Sequence, residues 1–172
     1  MQKSIHDALD KFANGYHALK TVVDEYPEFF SSTVICCGTF AEFYCKLYLQ
    51  YIYPSAKLVY GNGSQKGWDI HATFLDGTTK RYQVKSLSTF AKTRTIARPK
   101  SGFDVLLVVA LDAGFNATVA YMFEGESVIK LLVGSGRLTV PDREVSTRKG
   151  AVIFRSAVDI SDKFFEALSE VL

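Results

Sequence analysis

The stretch GWDIHATFLDGTTKRYQVKS, residues 67–86, decides how this chain is read. In its first limb, Trp68 to Phe74, the residues Asp69, His71 and Thr73 alternate with Ile70, Ala72 and Phe74; in its second, Lys80 to Ser86, the residues Arg81, Gln83 and Lys85 alternate with Tyr82 and Val84. Successive side chains of a strand point to opposite faces, so each limb reads as a strand with one polar and one apolar face. With both apolar faces on the core, the polar odd-numbered residues must share the other face, and the turn decides whether they can. A two-residue turn at Asp76 and Gly77 pairs Asp69 with Val84 and puts Asp69 on the wrong side. A three-residue loop of Leu75, Asp76 and Gly77, with Gly77 left-handed in a G1 bulge, pairs Asp69 with Gln83 and sets Lys85 diagonal to them.

Working outward, Ile5, Leu9, Phe12, Tyr16, Leu19 and Val23 recur at helical spacing and predict an amphipathic helix from about Ser4 to Asp24. A second, largely apolar helix is predicted from about Val34 to Tyr51, bounded by Ser31, Ser32 and Thr33 before it and Pro54 after it. Lys57 to Tyr60 reads as a short strand before a glycine-rich loop, Gly61 to Gly67. That loop has no Walker Lys-Ser/Thr pair, so nucleotide-phosphate binding of that type is not indicated. A polar stretch from Ser88 to Gly102 precedes a solid apolar run, Phe103 to Ala110, that reads as a central strand covered on both faces. Ala117 to Phe123 is predicted as a strand, Glu126 to Val133 as a helix and Ala151 to Phe154 as a strand. A final helix is predicted from Ser161 to Leu172, with Ser161 as N-cap and Asp162 in the first turn. The pattern is that of one α/β or α+β domain, residues 1–172, with a mixed sheet.

Composition narrows the function. The chain has 172 residues, of which 48% are hydrophobic, enough to bury a core, yet its apolar runs are far shorter than the roughly 20 residues a spanning helix needs. No membrane partner is expected, and the N-terminal stretch lacks a secretory h-region, so a cytoplasmic location is the expectation. Three cysteines, Cys36, Cys37 and Cys45, form neither a disulfide framework nor a zinc spacing, and read as small apolar residues. The net charge is only +2, but Lys80, Arg81, Lys85, Lys92, Arg94, Arg98 and Lys100 fall within 21 residues that contain no acid, leaving the remainder at −5. Such an island suits a phosphate backbone, where binding releases counterions, although many basic runs are solvated surface.

Asp69, Gln83 and Lys85, converging beside a glycine-rich loop, resemble the PD-(D/E)XK nuclease superfamily. Asp69 matches its metal-binding aspartate and Gln83-Val84-Lys85 its E-x-K triplet, in the glutamine variant of Mrr-type restriction endonucleases. The resemblance implies a restriction-endonuclease-like three-layer α/β/α sandwich around a mixed central sheet. It also implies a Mg²⁺ ion held by Asp69, Gln83, the Val84 carbonyl and Glu42, the last being the further carboxylate that such proteins often supply from the preceding helix. Asp69, Gln83, Lys85 and Glu42 are the catalytic candidates. Lys85 would orient the attacking water in phosphodiester hydrolysis of DNA. Lys66, Arg81, Lys92, Arg94, Arg98 and Lys100 are the candidates for gripping nucleic acid, with the segment from Ser88 to Gly102 as a contacting loop in place of the helix such proteins commonly have there. Double-strand cleavage by so small a domain favours a homodimer. Because Gln83 replaces an acid, a second reading stays open: an inactive nuclease-fold module that binds nucleic acid or a partner subunit. His71 lies on the polar face, but a lone strand histidine is more often a packing residue, and it is not counted in the site.

Overall fold

The computed structural model describes residues 11, 14–15, 17–19, 21–22, 24–26, 37–62, 67–88, 93–141 and 152–171. Their elements are α1 (Cys37–Ile52), β1 (Lys57–Tyr60), β2 (Ile70–Thr73), β3 (Thr79–Ser88), β4 (Thr95–Ile96), β5 (Val105–Leu111), β6 (Ala117–Glu124), α2 (Glu126–Gly134), β7 (Leu138–Thr139), a 3-10 helix (Val152–Ser156), β8 (Val158–Asp159) and α3 (Ser161–Val171). Upstream of α1 the described residues between 11 and 25 are helical, as the amphipathic spacing predicts; the earlier part of that predicted helix lies outside the described residues.

Six strands form one sheet in the order β1-β2-β3-β5-β6-β8. Only the β3–β5 pair is parallel, so the sheet is mixed. All seven residues of β5 are buried, because it lies inside the sheet with both faces covered. Val105, Leu107, Val109 and Leu111 pack into one cluster with Cys45, Tyr48 and Leu49 of α1 and Phe164 and Ala167 of α3. Leu106, Val108 and Ala110 pack into the other with Leu132 of α2, Phe154 and the β4 and β7 residues Ile96 and Leu138. The result is a three-layer α/β/α arrangement: α1 and α3, then the sheet, then α2 with the 3-10 helix and the two-stranded β4–β7 ribbon.

The hairpin has the expected turn. Gly77 N–H bonds the Phe74 carbonyl at 3.0 Å, Phe74 N–H bonds the Thr78 carbonyl at 2.9 Å, and Gly77 adopts φ 81°. Ile70 therefore faces Tyr82 and Thr73 faces Thr79.

Three expectations are corrected. Of the strand predicted from Ala151 to Phe154, the described residues, from Val152 on, form a 3-10 helix instead, whose three-residue period lets Phe154 enter the core against Tyr121 and Phe123 while Val152 stays exposed. Ser161 does not cap its own helix. Its hydroxyl is buried and accepts the Ala120 N–H of β6 at 3.0 Å, while Phe164 N–H bonds the Ile160 carbonyl, so the helix opens one residue earlier. The stretch from Ser88 to Gly102 is not a free contacting loop where described, because β4 pairs with β7 and buries Ile96. No helix among the described residues is long and apolar enough to cross a membrane.

Because Leu107 is fully buried in the central strand, Leu107→Ala is expected to cost about 3 kcal/mol of stability. Val152→Ala, at a side chain left in solvent, should cost under about 0.5 kcal/mol. Urea unfolding midpoints check both.

Candidate functional site

Strand β3 runs to Ser88, whereas its antiparallel partner β2 begins only at Ile70, opposite Tyr82. Beyond that point the β2-side edge of β3 has no strand to bond. Asp69 fills the gap: its N–H bonds the Tyr82 carbonyl at 2.8 Å and its Oδ2 accepts the Val84 N–H at 2.7 Å. Asp69 thus stands beside Gln83, as the turn geometry requires, but as the residue closing the ladder, not as a paired member of it.

Gln83 is 2% exposed and uses both ends of its carboxamide. Nε2 donates to the Gly67 carbonyl at 2.9 Å, and Oε1 accepts the Lys100 N–H at 3.0 Å. It joins the end of the glycine-rich loop to the segment leading into β5. The two segments touch: a Cβ on Gly67, which adopts φ 108°, would lie 2.1 Å from the Ser101 carbonyl oxygen. Only glycine fits there, for lack of space and because that φ excludes other residues.

Lys85 is half-buried, and its ammonium makes no hydrogen bond or ion pair among the described residues. Burial holds it below the ordinary lysine value; the charge of Asp69 opposes this, Lys100 adds to it, and Glu42 opposes it. Burial likewise pushes the Asp69 carboxyl above its ordinary value, against the Val84 N–H and the charges of Lys85 and Lys100. Glu42, on α1, acts with Asp69 to raise the thiol of buried Cys45, itself raised mainly by burial. Asp69, Lys85, Lys100 and Glu42 therefore share one electrostatic neighbourhood, at the open edge of the sheet. A partly desolvated carboxylate and ammonium that feel one another's charge make this edge the candidate site.

Other candidates have different occupations. Arg81 makes a bidentate pair with Asp104, with 2.9 and 3.1 Å hydrogen bonds. The Arg94 guanidinium bonds the carbonyls of Val140 and Pro141, and that of Arg98 bonds the Val133 carbonyl at 2.7 Å. The side chains of these arginines lock segments together, which leaves their charges only partly available to a phosphate. Lys66 and Lys92 lie outside the described residues. Sequence patterning offered Lys100 as one of the basic run that could grip nucleic acid, but not as an electrostatic neighbour of Asp69 and Lys85. His71 packs against Trp68, with ring centroids 5.5 Å apart.

Among the described residues no three His, Cys, Asp or Glu side chains gather as a metal cluster. A metal held here would have few carboxylates and would lean on neutral oxygens and water, which suits Mg²⁺, an ion that keeps several waters and binds through one or two carboxylates. Asp69 Oδ1 makes no hydrogen bond among the described residues, and by strand geometry the Val84 carbonyl points to the same edge as the N–H that Asp69 accepts.

Two substitutions test this account of the site. Gly67→Ala should cost at least about 2 kcal/mol, read by thermal unfolding, because the new Cβ meets the Ser101 carbonyl at a backbone angle it cannot relax. Lys85→Met should raise the melting temperature at pH 7 by on the order of 2 °C, since burial makes its charge costly. The sign with pH follows. A lysine whose folded value is lowered costs stability while it must be protonated and ceases to do so once pH rises above its ordinary value. The advantage of Lys85→Met should therefore shrink as pH climbs through the alkaline range.

No family model matches the chain, and no curated protein matches it. Among solved structures it is similar to a bacterial homing endonuclease, I-Ssp6803I, at 16% identity and a TM-score of 0.44, over 70% of this chain and 83% of that one. A likeness that distant assigns neither family nor activity.

Proposed function

We propose that this chain is a Mg²⁺-dependent nuclease that hydrolyses phosphodiester bonds in DNA, of the restriction or defence kind. The observation that carries the reading is Lys85: a half-buried ammonium with no hydrogen bond or ion pair among the described residues, beside a desolvated Asp69 whose Oδ1 is open. Partly burying a charge costs stability, and an anionic substrate beside it would offset that cost. The choice of DNA rests on the resemblance of Asp69 and the Gln83-Val84-Lys85 triplet to restriction-type nucleases.

In this reading Asp69, the Val84 carbonyl and Glu42 would hold the ion. When bound, Mg²⁺ supplies charge neutralisation at the phosphate and lowers the pKa of a coordinated water. The Asp69 carboxylate is prevented from rotating by its bond to the Val84 N–H, so its second oxygen keeps a fixed aim. Lys85 donates a hydrogen bond to the attacking water or to a phosphoryl oxygen, countering the negative charge that grows as the new P–O bond forms and the bond to the leaving oxygen breaks. One such site cuts one strand; cutting both calls for two copies related by a twofold axis.

One observation favours the other reading, a module of this fold that binds nucleic acid or a partner subunit without turnover. Among the described residues only Asp69 and Glu42 provide carboxylates at the site, and the position that is acidic in most nucleases of the resembling superfamily holds Gln83.

Nicking of supercoiled plasmid in Mg²⁺ or Mn²⁺ decides between them. Asp69→Asn, which keeps an acceptor for the Val84 N–H, and Lys85→Ala are each expected to lower the nicking rate by about 100-fold or more. Equal nicking by all three proteins, or none by any while each still binds DNA, would overturn the enzyme reading.

A further inference from the structure

The carboxamide of Gln83 has a double use that a metal ligand in that position would not need. One end holds the Gly67 carbonyl and the other the Lys100 N–H, and the side chain is 2% exposed. These partners lie 16 residues before and 17 residues after it, and Gly67 and Ser101 approach too closely for any Cβ. A side chain that bonds both sides of such a seam fixes where the seam sits. What the seam carries is Lys100, an exposed lysine whose ammonium makes no hydrogen bond or ion pair among the described residues and whose charge acts on both Asp69 and Lys85.

We infer that Gln83 is a positioning residue, not a metal ligand, and that Lys100, which it holds by the backbone, forms with Lys85 a two-ammonium subsite for a backbone phosphate of the substrate. The inference deepens the nuclease reading and rests on it for its cleavage arm alone; the binding arm stands independently. Two like charges in electrostatic reach of one another repel until an anion lies between them, so the subsite is complementary to a phosphodiester oxygen and not to a neutral ligand. Lys100 also differs in kind from Arg81, Arg94 and Arg98, whose guanidinium groups are already bonded to a carboxylate or to backbone carbonyls.

Gln83→Glu separates a clamp from a ligand. A carboxylate cannot donate to the Gly67 carbonyl, so as a clamp it fails; as a ligand it would restore the acid and bind metal better. The test uses the full chain, a fluorescein-labelled DNA duplex with Ca²⁺ in place of Mg²⁺ for binding by anisotropy, and a Mn²⁺ titration of plasmid nicking. Gln83→Glu and Lys100→Met should each weaken duplex binding about tenfold. Lys100→Met should also lower the slope of log Kd against log salt by about one, as expected for the loss of one phosphate contact. The Mn²⁺ midpoint should not move to lower concentration in either variant. Gln83→Glu that nicks at least as fast as wild type with a lower Mn²⁺ midpoint would overturn the clamp. Wild-type binding by Lys100→Met would overturn the subsite, and this variant decides that arm even if Gln83→Glu fails to fold. Weakened binding in the variants of a wild type that never nicks supports the subsite and sinks the nuclease reading alone.

Discussion

Strand β3 outruns β2, and the Val84 N–H just past the end of that partner needs an acceptor. A buried amide without one costs about 1–3 kcal/mol, so the chain must supply an oxygen. It supplies the Asp69 carboxylate, at 2.7 Å. The rest of the candidate site depends on that bond. It keeps a carboxylate at the open edge of the sheet, with its other oxygen making no hydrogen bond among the described residues. Gln83, one residue before Val84, then lies where it can bridge the Gly67 and Lys100 segments that close over the same edge.

The charges around this edge divide into two groups. Arg81, Arg94 and Arg98 are absorbed into the architecture, by Asp104 and by backbone carbonyls of neighbouring segments. Lys85 and Lys100 are not: one is half-buried without a hydrogen bond, the other held by its backbone with its ammonium in solvent. Partial burial works against the charged form of Lys85, as it does against that of Asp69. The side chains of Lys85 and Lys100 make no hydrogen bond or ion pair among the described residues, which separates these two lysines from the arginines in the same basic run.

Much of the scaffold was legible. The alternation in residues 67–86, with Asp76-Gly77 at the turn, specified the three-residue loop and hence the pairing of Ile70 with Tyr82. The unbroken run at Val105–Leu111 announced a strand covered on both faces, and the helix before the hairpin was evident from its boundaries. The misreadings have a common cause. Val152, Ile153 and Phe154 are good strand residues in isolation, but packing buries Phe154 against Tyr121 and Phe123, covers Ile153 in part and leaves Val152 in solvent. Ser161 looks like an N-cap locally, yet β8 is too short to cover Ala120, and that buried N–H claimed the hydroxyl. Thr95 and Ile96 are good strand residues, but two of them inside a polar stretch make no alternating pattern, and they pair because β7 comes beside them.

By itself, then, the sequence determined what local periodicity and turn chemistry can encode: the strands and helices near the site, the hairpin register, and the adjacency of Asp69, Gln83 and Lys85. Tertiary structure alone decided which charges are spent and which are kept. Arg81 meets Asp104 across 23 positions, Arg98 meets Val133 across 35, and Gln83 reaches Gly67 and Lys100 in opposite directions along the chain. No local pattern records such partners, because a side chain's hydrogen bonds and its desolvation are set by whatever distant segment packs against it. Lys100 is the clearest case: one basic residue among seven in the sequence, it is set beside Asp69 and Lys85 only once Gln83 holds its backbone.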